Sequence, residues 1–237
     1  MATAAVGLDI TPTALVAVSL RKKGRAYGIA THAETPLAPG IVADGEVLDA
    51  DALADAIRAF WAEHGIKERT VAVGIANQRC VTRIIEMPRI KSSKQLREAL
   101  SFEVADNLPI PIEEVIWDHH TVARWKDADS GGEKERHVVV MAYRESVEGY
   151  RDAIVRAGLK VARIDLAAFA LMRAGLPAVK LALLSEGDEA PAESIVALLD
   201  VGPTTTNVVI SRDGICELNR MVAFGTQHFT QTLVEQF

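Results

Sequence analysis

Cysteine is scarce: Cys80 and Cys216 are the only two in the chain. Two thiols without metal-ligand spacing make neither a disulfide framework nor a zinc site, and reduced thiols in a cytosolic protein fit best. Long apolar runs are missing too. No stretch reaches about 18 uninterrupted apolar residues, so no transmembrane helix is expected and any membrane link must come through a partner. Met1 to Ile10 carries no basic segment and meets Asp9 early, unlike a secretory signal. Positive charge is not in excess. Lys and Arg number 26 against 32 Asp and Glu, a net charge of −6, which argues against nucleic acid and anionic membranes as partners. The one basic cluster, Arg21-Lys22-Lys23-Gly24-Arg25, reads as a solvated hairpin tip. His119 and His120 are adjacent, fall on opposite faces of a strand, and make a poor metal pair.

What is present suits a globular α/β protein: 49% of the 237 residues are hydrophobic and 24% charged. One pattern occurs twice. Val6-Gly7-Leu8-Asp9-Ile10-Thr11-Pro12-Thr13 runs into Leu15-Val16-Ala17-Val18-Ser19-Leu20, and Ala197-Leu198-Leu199-Asp200-Val201-Gly202-Pro203-Thr204 runs into Asn207-Val208-Val209-Ile210. Each is an apolar run, an Asp, a short polar turn and a second apolar run, which reads as a β-hairpin. Two such hairpins face to face would line a cleft with carboxylates and hydroxyls, a cradle for phosphates and a metal ion. Two ordinary buried hairpins are the plainer alternative.

Between the hairpins the character changes twice. Residues 6–36 are strand-rich, Asp49 can cap a helix carrying Leu53, Ile57, Phe60 and Trp61, and Thr70–Ile75 is a buried strand. From Cys80 a separate unit begins: a strand to Met87, a capping box at Ser92 and Gln95, and a helix with Leu96, Leu100 and Val104 on one stripe. That helix stops before Pro109 and Pro111. Two strands, Ile116–Val122 and His137–Met141, flank a flexible tip, and a helix after Ser146 ends at Gly158. Asp165 then precedes a helix expected to end at Gly175 and Pro177, and residues 185–192 read as a linker. The segment Thr226 to Phe237 reads as a helix with an apolar stripe and no cap, so the second half is expected to be incomplete.

These residues resemble the type IV pilus assembly protein PilM family, of the actin-like ATPase superfamily that includes the cell-division protein FtsA. The resemblance rests on Val6-Gly7-Leu8-Asp9, on Arg83-Ile84-Ile85-Glu86-Met87-Pro88 with the helix leading to Leu108-Pro109-Ile110-Pro111, and on Glu113-Glu114-Val115. Ala142, Gly158-Leu159, Asp165 before an Ala-rich helix, Leu199-Asp200-Val201-Gly202 and Gly225-Thr226-Gln227-His228-Phe229-Thr230 continue it. It implies an actin-like, ribonuclease H-like α/β fold with an inserted strand-helix-strand-strand-helix (1C, or SHS2) subdomain. Residues 1–77 and 165–184 would form subdomain 1A, 78–164 subdomain 1C, and 194–237 the start of a truncated subdomain 2A.

By the same resemblance, Asp9 and Asp200 would hold magnesium through water, and Thr11, Thr13, Gly202, Thr204, Thr205 and Thr206 would line the phosphates of ATP. The chain departs from the family pattern here. Thr11 and Pro12 follow Asp-Ile where glycine is common, Pro203 follows Gly202, and Thr226 takes the place of a second glycine. The first turn is therefore expected to be a weaker phosphate nest. The water-orienting position falls on Leu166 or Asp165; Leu cannot orient water, and Asp165 reads as a helix cap or as a weak catalytic candidate. Weak or absent ATPase activity is expected, with Mg-ATP belonging to a full-length protein and little or none to this chain.

The family also implies a cytoplasmic scaffold, peripheral to the inner membrane, that binds the N-terminal cytoplasmic tail of PilN in a 1A/1C groove alongside pilus assembly proteins and the motor. Homo-oligomers occur among relatives. Leu100, Val104, Leu108 and Ile110 are the candidate groove residues, or else simply the core of 1C. Two other readings share the hairpins: the cytoplasmic domain of the type II secretion protein GspL, and a small-molecule kinase or ATPase.

Overall fold

The computed structural model of the chain describes residues 5–24, 26–106, 108, 110–185 and 194–236. Of the sequence features above, Arg25, Pro109, Phe237 and the linker at 186–192 lie outside them.

The chain opens with β1 (Val6–Ile10), β2 (Ala14–Lys23) and β3 (Ala26–Pro36). Alternation sends Val6, Leu8, Ile10, Leu15 and Ala17 into one core. A small hairpin of β4 (Val42–Ala43) and β5 (Glu46–Val47) leads to α1 (Ala50–Glu63). The Asp49 carboxylate caps α1 by accepting from the Asp51 and Ala52 amides, and the stripe of Leu53, Ile57, Phe60 and Trp61 is buried as its spacing requires. After β6 (Thr70–Ile75) come β7 (Cys80–Pro88), α2 (Ser93–Asp106), β8 (Val115–Lys126), β9 (Glu133–Tyr143), α3 (Arg144–Arg156), β10 (Lys160–Leu166) and α4 (Ala167–Ser185). The last described elements are β11 (Ile195–Val201), β12 (Thr206–Arg212), β13 (Ile215–Val222) and α5 (Thr226–Gln236).

Three larger sheets result. The first has the order β10-β6-β1-β2-β3, with β1 antiparallel to β2 and parallel to β6, and β6 parallel to β10. The second is β7-β9-β8 and the third β11-β12-β13, both antiparallel. The second sheet has its own core, where Leu96, Leu100 and Val104 of α2 meet Val115, Val139 and Met141. The expected capping box contributes one bond, from the Gln95 amide to Ser92 Oγ at 3.4 Å.

The inserted unit, expected over 78–164 with α3 as its second helix, carries the separate sheet β7-β9-β8 and a core of Leu96, Leu100, Val104, Val115, Val139 and Met141, while Cys80 and Ala142 pack into the main core. A parallel β6–β10 pair needs a crossover helix, and α3 supplies it: Tyr150, Ala153 and Ile154 join the main core, where α3 lies against α1. Helix α4, expected to end at Gly175 and Pro177, runs on to Ser185 with Pro177 inside it. Gly175 lets the helix press on β11; a Cβ there would lie 3.2 Å from Leu198. Both cysteines are free and buried, and burial pushes the Cys80 thiol up to about 12.

One junction fixes how the second sheet leaves the first. Gly45, between β4 and β5, has φ of 74°, and a Cβ on it would lie 1.8 Å from the Ala76 carbonyl oxygen. Its own carbonyl accepts from the buried Tyr150 hydroxyl at 3.0 Å and from Asn77 Nδ2 at 3.3 Å. No side chain fits this position. Replacing Gly45 with Ala is expected to lower the unfolding free energy by about 2–4 kcal/mol, from backbone strain plus the clash. Urea denaturation followed by circular dichroism measures it, and a change under about 0.5 kcal/mol, the usual size for a surface site, would contradict the junction's role.

Candidate functional site

Two regions of this fold received candidate residues from the sequence: the paired hairpin turns, and a groove beside the second sheet. In the first, β1 ends at Asp9-Ile10 and β11 ends at Asp200-Val201. The inward run Val6, Leu8, Ile10 leaves Asp9 on the opposite side of β1. Although Asp9 keeps an exposed edge, the walls around its carboxyl and the nearby negative charge of Asp200 push it above the ordinary value of 3.8; a bond from the Ile10 amide works the other way. The fold thus brings together two acids that stand far apart in sequence.

The turn after each acid carries the other candidates. At the first turn the Thr11 amide donates to the Ala14 carbonyl at 3.0 Å. Thr11 Oγ1 accepts from the Ala14 and Thr13 amides at 3.0 and 3.3 Å, donates to the Ala14 carbonyl at 3.1 Å, and lies 3.5 Å from Thr13 Oγ1. Thr11 does not take the left-handed conformation of a glycine turn; among the described non-glycine residues only Asp44 and Asp213 have positive φ. At the second turn Gly202 N donates to Thr205 O, Thr206 Oγ1 donates to Phe224 O at 2.6 Å, and the buried Thr204 hydroxyl has no hydrogen-bond partner. The start of α5 docks on this turn, with Thr226 N on Gly202 O and Gln227 N on Pro203 O, both at 2.9 Å. Gly225 permits the approach, because a Cβ there would lie 2.4 Å from Gly202 O.

The acids suit a magnesium ion held through water. Among the described residues, no group of three His, Cys, Asp or Glu side chains is placed to hold a metal directly. The first turn does not suit phosphate, since its amides are already engaged.

The second concave region lies between the second sheet and the main body. It is a groove of about 340 Å³ lined by Ile116, Asp118 and His120 of β8, Val138 and Val140 of β9, and Ile164, Asp165, Leu166 and Phe169 at the β10–α4 join, with Ile75 and Val147 among its further walls. Ile116, Asp118 and His120 pair with Ala142, Val140 and Val138, so the groove lies over this face of the β8–β9 pair, and Trp117 and His119 of β8 border it as well. β8 pairs only with β9; among the described residues no strand covers its other edge. Near its start, Arg144 Nη2 donates to Val115 O at 3.3 Å.

Leu100 and Val104 are 0% and 1% exposed in the α2 core and present no surface to a ligand, while Leu108 and Ile110 are half-buried beside that core. None of these four lines the groove described above. Asp165 does. It holds Arg173 in an ion pair and accepts from the Leu166 amide rather than capping α4 from the end position, which falls to Leu166. The groove residues missed in the sequence had one signal. Val138 to Met141 is an unbroken apolar run, and an antiparallel strand of that kind is covered on both faces. His119 and His120 both line the groove; His119 also faces His137, with ring centroids 5.8 Å apart, while His120 is exposed.

Asp9 makes a pH-dependent contribution. Its raised pKa means that the folded chain holds this proton to higher pH than the unfolded chain does, so stability falls as pH rises from 3.8 through the folded value. Asp9→Asn is expected to melt with the unsubstituted chain below that window and above it at higher pH, the gap widening as the carboxylate ionises. Thermal melts across the acid-to-neutral range test this, and a constant or reversed gap would contradict the raised value that burial and the charge of Asp200 give Asp9.

Known proteins share this fold. A chain in a solved PilM–PilN type IV pilus biogenesis complex superposes with a TM-score of 0.79 at 27% identity over 99% of this chain; this chain spans 66% of that one's length. The cytoplasmic domain of EpsL, an inner-membrane component of the type II secretion system of Vibrio cholerae, matches with a TM-score of 0.55 at 14% identity, covering 93% of this chain and 71% of its own. The ethanolamine utilization protein EutJ from Carboxydothermus hydrogenoformans matches at 0.52 and 13%, covering 100% of this chain and 57% of its own. The last two share the fold, which is actin-like. A family model described as type IV pilus assembly protein PilM matches residues 7–237, through both hairpins and the inserted sheet. On that match the chain belongs to the PilM family of type IV pilus assembly proteins.

Proposed function

We propose that this chain is a peptide-capturing scaffold of the type IV pilus machinery, which holds the N-terminal cytoplasmic segment of PilN in the groove between the second sheet and the main body. The open edge of β8 along that groove is the observation that carries the reading. An extended segment can add to a free strand edge through its backbone and set alternate side chains into the pocket beneath. Ile116, Val140, Ile164 and Phe169 supply apolar contacts, and Asp118 and Asp165 stand among them as carboxylates. That a PilM relative was solved as a complex with PilN supports the same partner.

Capture of this kind needs no hydrolysis. The chain would sit at the cytoplasmic face of the inner membrane through its partner, in keeping with the absence of any membrane-crossing helix among the described residues. ATP with magnesium, if taken up, would meet Asp9 and Asp200 on the metal side.

A labelled peptide with the PilN N-terminal sequence, titrated by fluorescence anisotropy, tests the proposal. Phe169→Ala and Ile116→Glu are each expected to weaken binding about tenfold or more, as loss of a buried anchor does. Phe102→Ala, on a side chain 73% exposed on α2, should leave it unchanged. Leu100→Ala should instead cost about 2–5 kcal/mol of stability, as a cavity in the α2 core. Saturable binding that ignores both groove substitutions, or no binding at all, would overturn the reading.

A further inference from the structure

The first turn disagrees with the nucleotide that the fold family implies, and the disagreement has one atom at its centre. A turn grips phosphate when successive amides point outward together, an arrangement that needs a left-handed residue and free donors. Here Pro12 has no amide hydrogen. The Thr11 amide is spent on the Ala14 carbonyl at 3.0 Å. The remaining two donors, from Thr13 and Ala14, converge on one acceptor, Thr11 Oγ1, at 3.3 and 3.0 Å. A hydroxyl oxygen that accepts from two neighbouring amides occupies the place of an anionic oxygen. It is held there from its other side, since it also donates to the Ala14 carbonyl at 3.1 Å.

We infer that Thr11 is the specificity-determining residue of this cleft, an internal oxygen that competes with polyphosphate for the amides of the first turn. Every backbone donor of the turn is engaged, while the acids Asp9 and Asp200 remain. The unsubstituted cleft therefore presents negative charge without the compensating amides, and a polyanion gains nothing from the first turn. Removing the hydroxyl frees two donors. The second turn offers no substitute at its docked end, because Thr226 N and Gln227 N are held by Gly202 O and Pro203 O. The inference concerns the cleft alone and does not rest on the proposed peptide groove.

Two measurements test it. The first needs no ligand: amide hydrogen exchange at Thr13 and Ala14, read by NMR, is expected to be slow in the unsubstituted chain and in Thr11→Ser, and at least about tenfold faster in Thr11→Gly and Thr11→Ala. The second is calorimetric titration with magnesium tripolyphosphate, a probe that requires no adenine contact. Thr11→Gly and Thr11→Ala should bind it about tenfold or more tightly than the unsubstituted chain, the weight of a charge-assisted hydrogen bond. Thr11→Ser, which keeps the oxygen, should bind no better. If Thr11→Gly loosens the hairpin, Thr11→Ala against Thr11→Ser carries the comparison. Unprotected Thr13 and Ala14 amides in the unsubstituted chain, or equal or weaker tripolyphosphate binding after the hydroxyl is removed, would overturn the inference.

Discussion

The arrangement of this molecule depends on how the chain departs from the end of β6. There the Ala76 carbonyl lies where a side chain on Gly45 would be, and the Gly45 carbonyl collects the hydroxyl of Tyr150 and the amide of Asn77. These contacts tie the β4–β5 hairpin, the exit toward β7 and the crossover helix α3 to one buried point. The point is backbone against backbone, and the glycine there has no room for a methyl group.

The two concave regions differ in what they can hold. The cleft between the hairpins gathers acids and hydroxyls, and its first turn satisfies its own amides through Thr11. The groove gathers apolar side chains beside an unpaired strand edge. A polyanion finds fewer donors in the first region than glycine turns would offer. The second combines an unpaired strand edge with apolar area, the two features that strand addition by an extended peptide uses, and the peptide-capture proposal rests on that contrast.

Much of this was legible from residues alone where the signal was local. Asp49 caps α1, and the stripes of α1 and α2 are buried at their predicted positions. Asp9 and Asp200 announced themselves by repetition, and their electrostatic coupling follows from the fold. The rest depended on partners distant in sequence. Helix α3 reads from sequence as the last element of the inserted unit, and its contact with α1 also ties Tyr150, Ala153 and Ile154 to the main core. Pro177 reads as a stop, yet α4 runs past it, with Gly175 close against Leu198 of β11. Leu100 and Val104 have the composition of a binding stripe and the burial of a core.

By itself, then, the order of residues determined the α/β class, the paired hairpins, the capped helix α1 and the family. Periodicity, capping and turn chemistry act within a few residues and leave their mark in the text of the chain. Tertiary structure alone decided which apolar surfaces remain open. The face of β9 at Val138 and Val140 becomes a groove wall because β10 and α4 approach it without closing on it. That distance is set by packing across the whole molecule, to which no single segment holds the key.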